Sequence, residues 1–292
     1  MSMNHLEGEN GVGRFVNDPN KAKAELARIL AESARTWKEL YGEIPFPSVA
    51  APVEKQTTRI FSKDQLILPY TELPQEASDV LKRAEKTGIT SLEPYRLSGV
   101  TLTQNSQVEG WTKKPGLWYW QQIANGKIAP DSARLPDAWV LVDKTERPDY
   151  KDGKQPHKND PFGPLLAKLR EEGKIKVPKA LKHIPQASRF GISPDELRNG
   201  ILPEIAKLLG VDASQVRLHK EIEFNVIGNM KHPEWGKANT AEWLDDNFAG
   251  SRRLFGGRSG FGGLTSVSRH WSGLHLDTIA FRPLVVISPK AS

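Results

Sequence analysis

The sequence predicts an α+β fold, and three observations carry that prediction. Several segments place apolar residues at helical spacing, others are short runs that alternate or stay apolar, and the C-terminal section is turn-dense and closes on an apolar strand. There is no internal repeat and no heptad pattern. The 292 residues suffice for one large or two modest domains, and 38% apolar content with eight Trp is enough to build a core.

Taken in order, residues 1–18 are dominated by Gly, Asn and Glu and read as loose. Asp18-Pro19 opens a helix to about Tyr41, with Leu26, Ile29, Leu30, Ala34, Trp37 and Leu40 on one face; Gly42 and Pro45 stop it. Residues 43–56 are a Pro-rich linker, 58–68 alternate enough for a strand, and 74–86 read as a helix with Ala77, Val80, Leu81 and Ala84 inward. Val100 to Thr103 and Ala138 to Val142 read as strands, 144–160 as a polar loop, and 161–172 as a short helix. Ser193-Pro194-Asp195-Glu196 is a capping box that starts a helix through Leu209, ending at Gly210. Val216 to Ile227 alternates and reads as a strand, and the last strand is Phe281 to Ile287.

Composition narrows the function classes. Cysteine is absent, which excludes disulfides, thiolate chemistry and Cys-containing zinc sites. A net charge of +6 allows an acidic partner but is too mild to establish nucleic-acid binding. The N-terminus lacks the apolar core of a Sec signal, and no apolar run is long enough to span a bilayer. The expectation is a cytoplasmic protein, with surface or virion display left open.

The most informative stretch lies between Glu242 and Lys290, which contains no Lys, Glu, Gln or Met. At ordinary usage about ten would be expected. These four types share no physical property that burial or solubility could select against together; a codon-level cause could exclude them, the alternative being compositional drift in a turn-rich sheet end. Within the stretch, Gly256-Gly257, Gly262-Gly263-Leu264, Trp271 and Ile279 to Pro283 are the residue types a frame needs: Gly for positive φ, large apolar groups for core, and a closing strand. Between them lie Arg258, Gly260, Phe261, Ser266, Ser268, Arg269, His270, Gly273, Leu274, Leu276 and Thr278. These filler residues share no chemistry. Each is reachable from an asparagine codon by changing its first two bases; Lys, Glu, Gln, Met and Trp are not.

This layout resembles the variable proteins of diversity-generating retroelements, in which a reverse transcriptase copies a template repeat with errors at adenines and the copy overwrites the 3′ end of the gene. The residues that carry the resemblance are Glu242 to Asp246, Leu254 to Gly257 and Ala280 to Val286. The Ala280-Phe281-Arg282-Pro283 ending is more similar to archaeal and candidate-phyla members than to phage ones. The resemblance implies a C-type lectin-like domain, related to formylglycine-generating and sulfatase-modifying domains, over residues 91–292. Its variable region would span about 254–287, and residues 1–90 would form a helical N-terminal extension. It also implies a ligand-binding protein whose filler residues form a paratope for an unknown ligand, a protein or a surface glycan, with no cofactor. Arbitrary side chains are tolerated only where they are exposed and carry no backbone duty. Phe261, Arg269, Leu274 and Leu276 are therefore expected to be exposed and close together, and Trp243, Trp271 and Phe281 buried.

The same residues admit other readings. Arg252, Arg253, Arg258 and Arg269 could serve a nucleic-acid or acidic-polymer binder, although Arg/Gly segments of that kind are normally disordered and repetitive. Calcium binding, known for lectins of this fold, needs a run of loop carboxylates and amides that the tail lacks, so no metal site is expected. Asp245-Asp246 is expected to cap or bridge backbone. No catalytic residues are expected: the formylglycine oxidases use paired cysteines, no nucleophile elbow, Walker A or zincin motif appears, and His183, His219 and His232 stand isolated. Trp111, Trp118, Trp120 and Trp139 are read as core rather than a sugar-stacking groove.

Overall fold

The computed structural model describes residues 60–288. They belong to the compact unit that starts at Thr58. The helix expected over 18–41 and the Pro-rich segment 43–56 lie outside the described residues.

The architecture is α+β, with helices packed against two larger sheets. Strands β1 (Ile60–Phe61) and β4 (Gln107–Val108) form a small parallel pair. The strand expected over 58–68 is interrupted by a single tight turn at Lys63–Gln65, after which β2 (Ile67–Leu68) pairs with β3 (Leu92–Ser98). Between them runs helix α1 (Gln75–Lys86), whose Ala77, Val80 and Ala84 recur at helical spacing and are buried. Residues 60–90, grouped with the N-terminal extension on sequence grounds, thus pack into the same cores as the rest of the described chain.

The five-stranded sheet has the order β2-β3-β5-β11-β6, where β5 is Asp137–Asp143, β6 Val216–Leu218 and β11 Pro283–Ile287. It separates two cores. Leu141 and Val285 face helices α1, α3 (Gly163–Glu171) and α4 (Leu202–Leu209), whereas Val140, Val142 and Leu284 face α2 (Leu117–Ala124) and α5 (Glu221–Met230). Burial on both faces is why β5 and β11 read as continuous apolar runs. The four-stranded sheet has the order β10-β7-β8-β9: β7 is Ala241–Phe248, β8 Arg252–Gly256, β9 Val267–Trp271 and β10 Ile279–Phe281.

Three further expected elements differ from the structure. The segment 216–227 is not one strand: β6 ends at Leu218 and α5 begins after Lys220. The Glu223 carboxylate accepts the Lys220 N–H at 2.7 Å, closing the helix start. Because residues 221–228 are all buried, the helix shows no polar face, and its sequence mimics alternation. The closing strand is split at Arg282, where the chain leaves β10, parallel to β7, and enters β11 between β5 and β6. Finally, the expected strand at 100–103 is reduced to one bridge, Thr101 to Arg134.

The expected capping box is present. Ser193 N–H donates to Glu196 Oε2 at 3.0 Å, and Glu196 N–H donates to Ser193 Oγ at 3.3 Å. A wider π turn over Leu197–Ile201 leads into α4, which ends at Gly210 with φ +64°.

Candidate functional site

The tail is held by a buried ionic junction. Arg282 donates to both carboxylate oxygens of Glu242, at 3.1 and 2.7 Å, and to the Thr145 carbonyl at 2.9 Å. Arg147 sits 3.2 Å from the same carboxylate and donates to the carbonyls of Trp235 (2.6 Å) and Gly257 (2.7 Å). Burial alone would raise the Glu242 carboxyl, but the guanidiniums of Arg282 and Arg147 hold it below its ordinary range. The junction ties β7 to the turn after β8 and to the crossing point between β10 and β11.

Close backbone approach fixes the rest of the frame. Gly263 has φ +62°, and a Cβ there would lie 2.4 Å from the Gly236 carbonyl oxygen; a Cβ on Gly256 would lie 2.6 Å from the Ser266 oxygen. Leu264 is buried beneath Gly228 and Gly236, and its carbonyl accepts a 2.6 Å bond from the Asn225 amide. Trp243 and Phe281 are buried as expected.

The filler residues lie outside these cores. Gly260, Phe261, Ser268, Arg269 and Gly273 are exposed, and Arg258, Ser266, His270, Leu274, Leu276 and Thr278 are half-buried. Phe261 is 70% exposed on a tight turn, Ser259–Phe261, that precedes β9. Leu274 and Leu276 depart from the expected exposure. Leu276 packs against the first core and its carbonyl accepts the Gly191 N–H at 2.9 Å. The cause is Ser272, whose hydroxyl donates to Asp195 Oδ2 (3.0 Å) and whose carbonyl accepts the Asp195 N–H (3.1 Å), drawing the 272–278 loop onto the capping box. His275 Nε2 meets Glu196 there at 2.8 Å. The fillers therefore form two groups: one on the 258–270 turns and edge strand, the other on the loop over 193–196.

Trp271 also departs from expectation: it is 53% exposed, at the end of the edge strand, with the Arg252 guanidinium 4.4 Å above its ring. Its large apolar ring reads as core in sequence, but β9 pairs on one side only and no core reaches its end. Two more arginines are stacked the same way. Arg258 lies over Phe261 at 5.1 Å, and Arg269 lies over Phe248 at 4.6 Å and Trp118 at 5.2 Å. Trp118 stacks on Phe248 with centroids 5.6 Å apart. It is half-buried, as is Trp139, whereas Trp111 and Trp120 are core. Arg253 differs from the other three: it is buried and donates to the Asp245 carbonyl at 2.8 Å. Sequence reading missed the Arg–aromatic pairing; the one signal available was the alternation Val267, Arg269, Trp271, which puts all three on one face.

Beneath this sheet lies a buried acid pair that the sequence did not single out. Asp246 accepts the Glu221 N–H at 2.5 Å, the capping role expected of it. Glu221 is fully buried and neither carboxylate oxygen has a hydrogen-bond partner. Burial, then the charge of Asp246, raises the Glu221 carboxyl well above its usual value, and burial pushes Asp246 up to about 7. Among the described residues no three His, Asp or Glu are arranged to hold a metal ion. His232 bonds Tyr95 (3.0 Å) and Glu234 (2.9 Å), and His183 lies 3.6 Å from Asp277. His219 is buried without a ring-nitrogen partner, and burial lowers its pKa to about 3. No helix among the described residues is long and apolar enough to cross a membrane.

No protein family, curated protein or solved structure matches the chain.

Proposed function

We propose that the chain is a ligand-binding protein whose C-terminal face is diversified by a retroelement, on a C-type lectin-like scaffold. One observation carries the reading. The filler positions, all of which fit a mutated asparagine codon, are exposed or half-buried, and of them Leu276 packs on a core, whereas the frame is buried at Gly256, Gly257, Gly263, Leu264 and Ile279 to Pro283 and exposed at Gly262 and Trp271. A mutational process indifferent to chemistry survives selection only where side chains carry no folding duty. The face is built like other variable paratopes, with changeable contacts on a rigid frame. The first group, Arg258 to His270, supplies the more exposed contacts. The second, Gly273 to Thr278, supplies the half-buried Leu274, Leu276 and Thr278 beside the exposed Gly273.

The locus provides the test. A neighbouring reverse transcriptase gene and a near-copy of the 3′ end are expected, with mismatches confined to template adenines and falling on the filler codons. A locus without such a repeat rejects the reading.

A further inference from the structure

The edge strand carries a second pattern, in its main chain. Ser272 N–H donates to the Ser251 carbonyl at 2.8 Å and Gly257 N–H to the Ser266 carbonyl at 3.2 Å. With Arg253 opposite His270 and Phe255 opposite Ser268, antiparallel alternation assigns Ser266, Ser268, His270 and Ser272 to the ladder with β8. The N–H and C=O groups of Val267, Arg269 and Trp271 therefore point away from the sheet. Trp271 is closed off locally, its N–H donating to His270 Nδ1 (3.1 Å) and its carbonyl accepting the Leu274 N–H (3.2 Å). Val267 and Arg269 have no such partner among the described residues.

Charge along this edge is one-sided. Arg252, Arg258 and Arg269 each lie on an aromatic ring, and among the described residues none has a carboxylate within ion-pair distance. No Asp or Glu occurs between Asp246 and Asp277. A stacked guanidinium keeps its in-plane N–H groups free to fork onto a carboxylate.

We infer that the free edge of β9 takes an extended acidic polypeptide segment as a fifth strand of the sheet. The inference rests on the proposed binding role and names the partner's chemistry. Main-chain bonds to Val267 and Arg269 hold any extended segment regardless of its sequence, while the arginines select carboxylates. Ser268 and His270 on one face and Arg269 on the other read the remaining side chains, so variation retunes specificity without touching the backbone contact. A nucleic acid offers no alternating N–H and C=O to complete such a ladder.

The test selects binders to the full chain from a displayed library of peptides about ten residues long, with Asp or Glu at alternate positions and random residues between. Binders are resynthesised with amides N-methylated in one or the other alternate register. They are compared on the parent chain and on Arg269→Pro and Arg269→Glu, with circular dichroism as the check on folding. Proline suits an edge residue whose N–H is outside the ladder. Expected results are recovery of binders and at least a roughly tenfold loss from N-methylation in one register only. Arg269→Pro should abolish binding, and Arg269→Glu should weaken it by about tenfold or more. If Arg269→Pro fails to fold, the comparison of the two registers on the parent chain decides. Recovery of no binder, equal tolerance of both methylated registers, unchanged binding by a folded Arg269→Pro, or tighter binding of a single-stranded DNA of equal charge would overturn strand docking. A locus that carries the template repeat while the peptides fail removes only the docking; peptides that bind while the locus lacks the repeat remove only the diversification.

Discussion

Strands β7 and β9 belong to one sheet and one stretch of sequence, yet they are governed by different physics. β7 is central: apart from Asp245 and Asn247 its residues are buried, and it carries Glu242 for the ionic junction and Asp246 for the start of α5. β9 is an edge: its residues are exposed or half-buried, and its partners are rings and solvent. A side chain on β7 is fixed by what surrounds it. One on β9 is constrained mainly by the backbone that carries it. Tolerance of variation is thus decided strand by strand, by whether a core covers the strand: β10 is also an edge of this sheet, yet it is buried throughout, and a single strand, β8, separates β7 from β9.

The sharpest way to break the comparison is at the junction. Glu242→Leu strands Arg147 and Arg282 without a carboxylate and should cost about 3–5 kcal/mol in urea denaturation. A loss no larger than that of a surface substitution would mean the junction is not what fixes β7. A pH series comes next. The Asp246 carboxyl is raised by burial to about 7, above its unfolded value. Its stabilisation is complete below the unfolded pKa and is lost as the pH rises through 7. Asp246 should therefore contribute roughly 3 kcal/mol less at pH 8 than at pH 5, against the opposite contributions of the buried His219 and His157, which burial lowers below the ordinary histidine value. Asp246→Asn should lose roughly 3 kcal/mol less than the parent chain over the same pH rise, a comparison in which His219 and His157 cancel. Gly263→Ala, forced to φ +62° against the Gly236 carbonyl, should lower stability by about 2–3 kcal/mol. The smallest effects belong to the filler. Phe261→Ser and Ser268→Asn should shift stability by no more than about 0.5 kcal/mol, whereas Leu276→Ser, packed on the first core, should cost more. Equal effects at Phe261 and Leu276 would erase the distinction between the two filler groups.

Legibility in the sequence followed the same divide. Helix α1, the Ser193 capping box and the Gly210 stop were readable because local chemistry specifies them. Helix α5 was not, because its burial comes from tertiary packing that removes the polar face a helix normally displays. The break at Arg282 was hidden inside an apolar run, since only the two sheets together require a turn there. At the candidate site, residue type identified Trp243 and Phe281 as core. Residue type failed at Trp271, where position in the sheet outweighs hydrophobicity. It failed at Leu276 too, where a hydroxyl four residues away decides burial.

The placement of β11 has a consequence for how such a gene can be rewritten. The last strand is threaded between β5 and β6, and Arg282 before it completes the ionic junction, so both are translated after the filler codons. A copying event that inserts or deletes a single base anywhere in residues 258–278 shifts the reading frame through both. The product then lacks a central strand and leaves Glu242 facing Arg147 alone. Under the proposed function, the fold acts as a proofreader of frame: away from Leu276 it is nearly blind to which side chains were drawn, but it rejects any draw that changes the phase of the message.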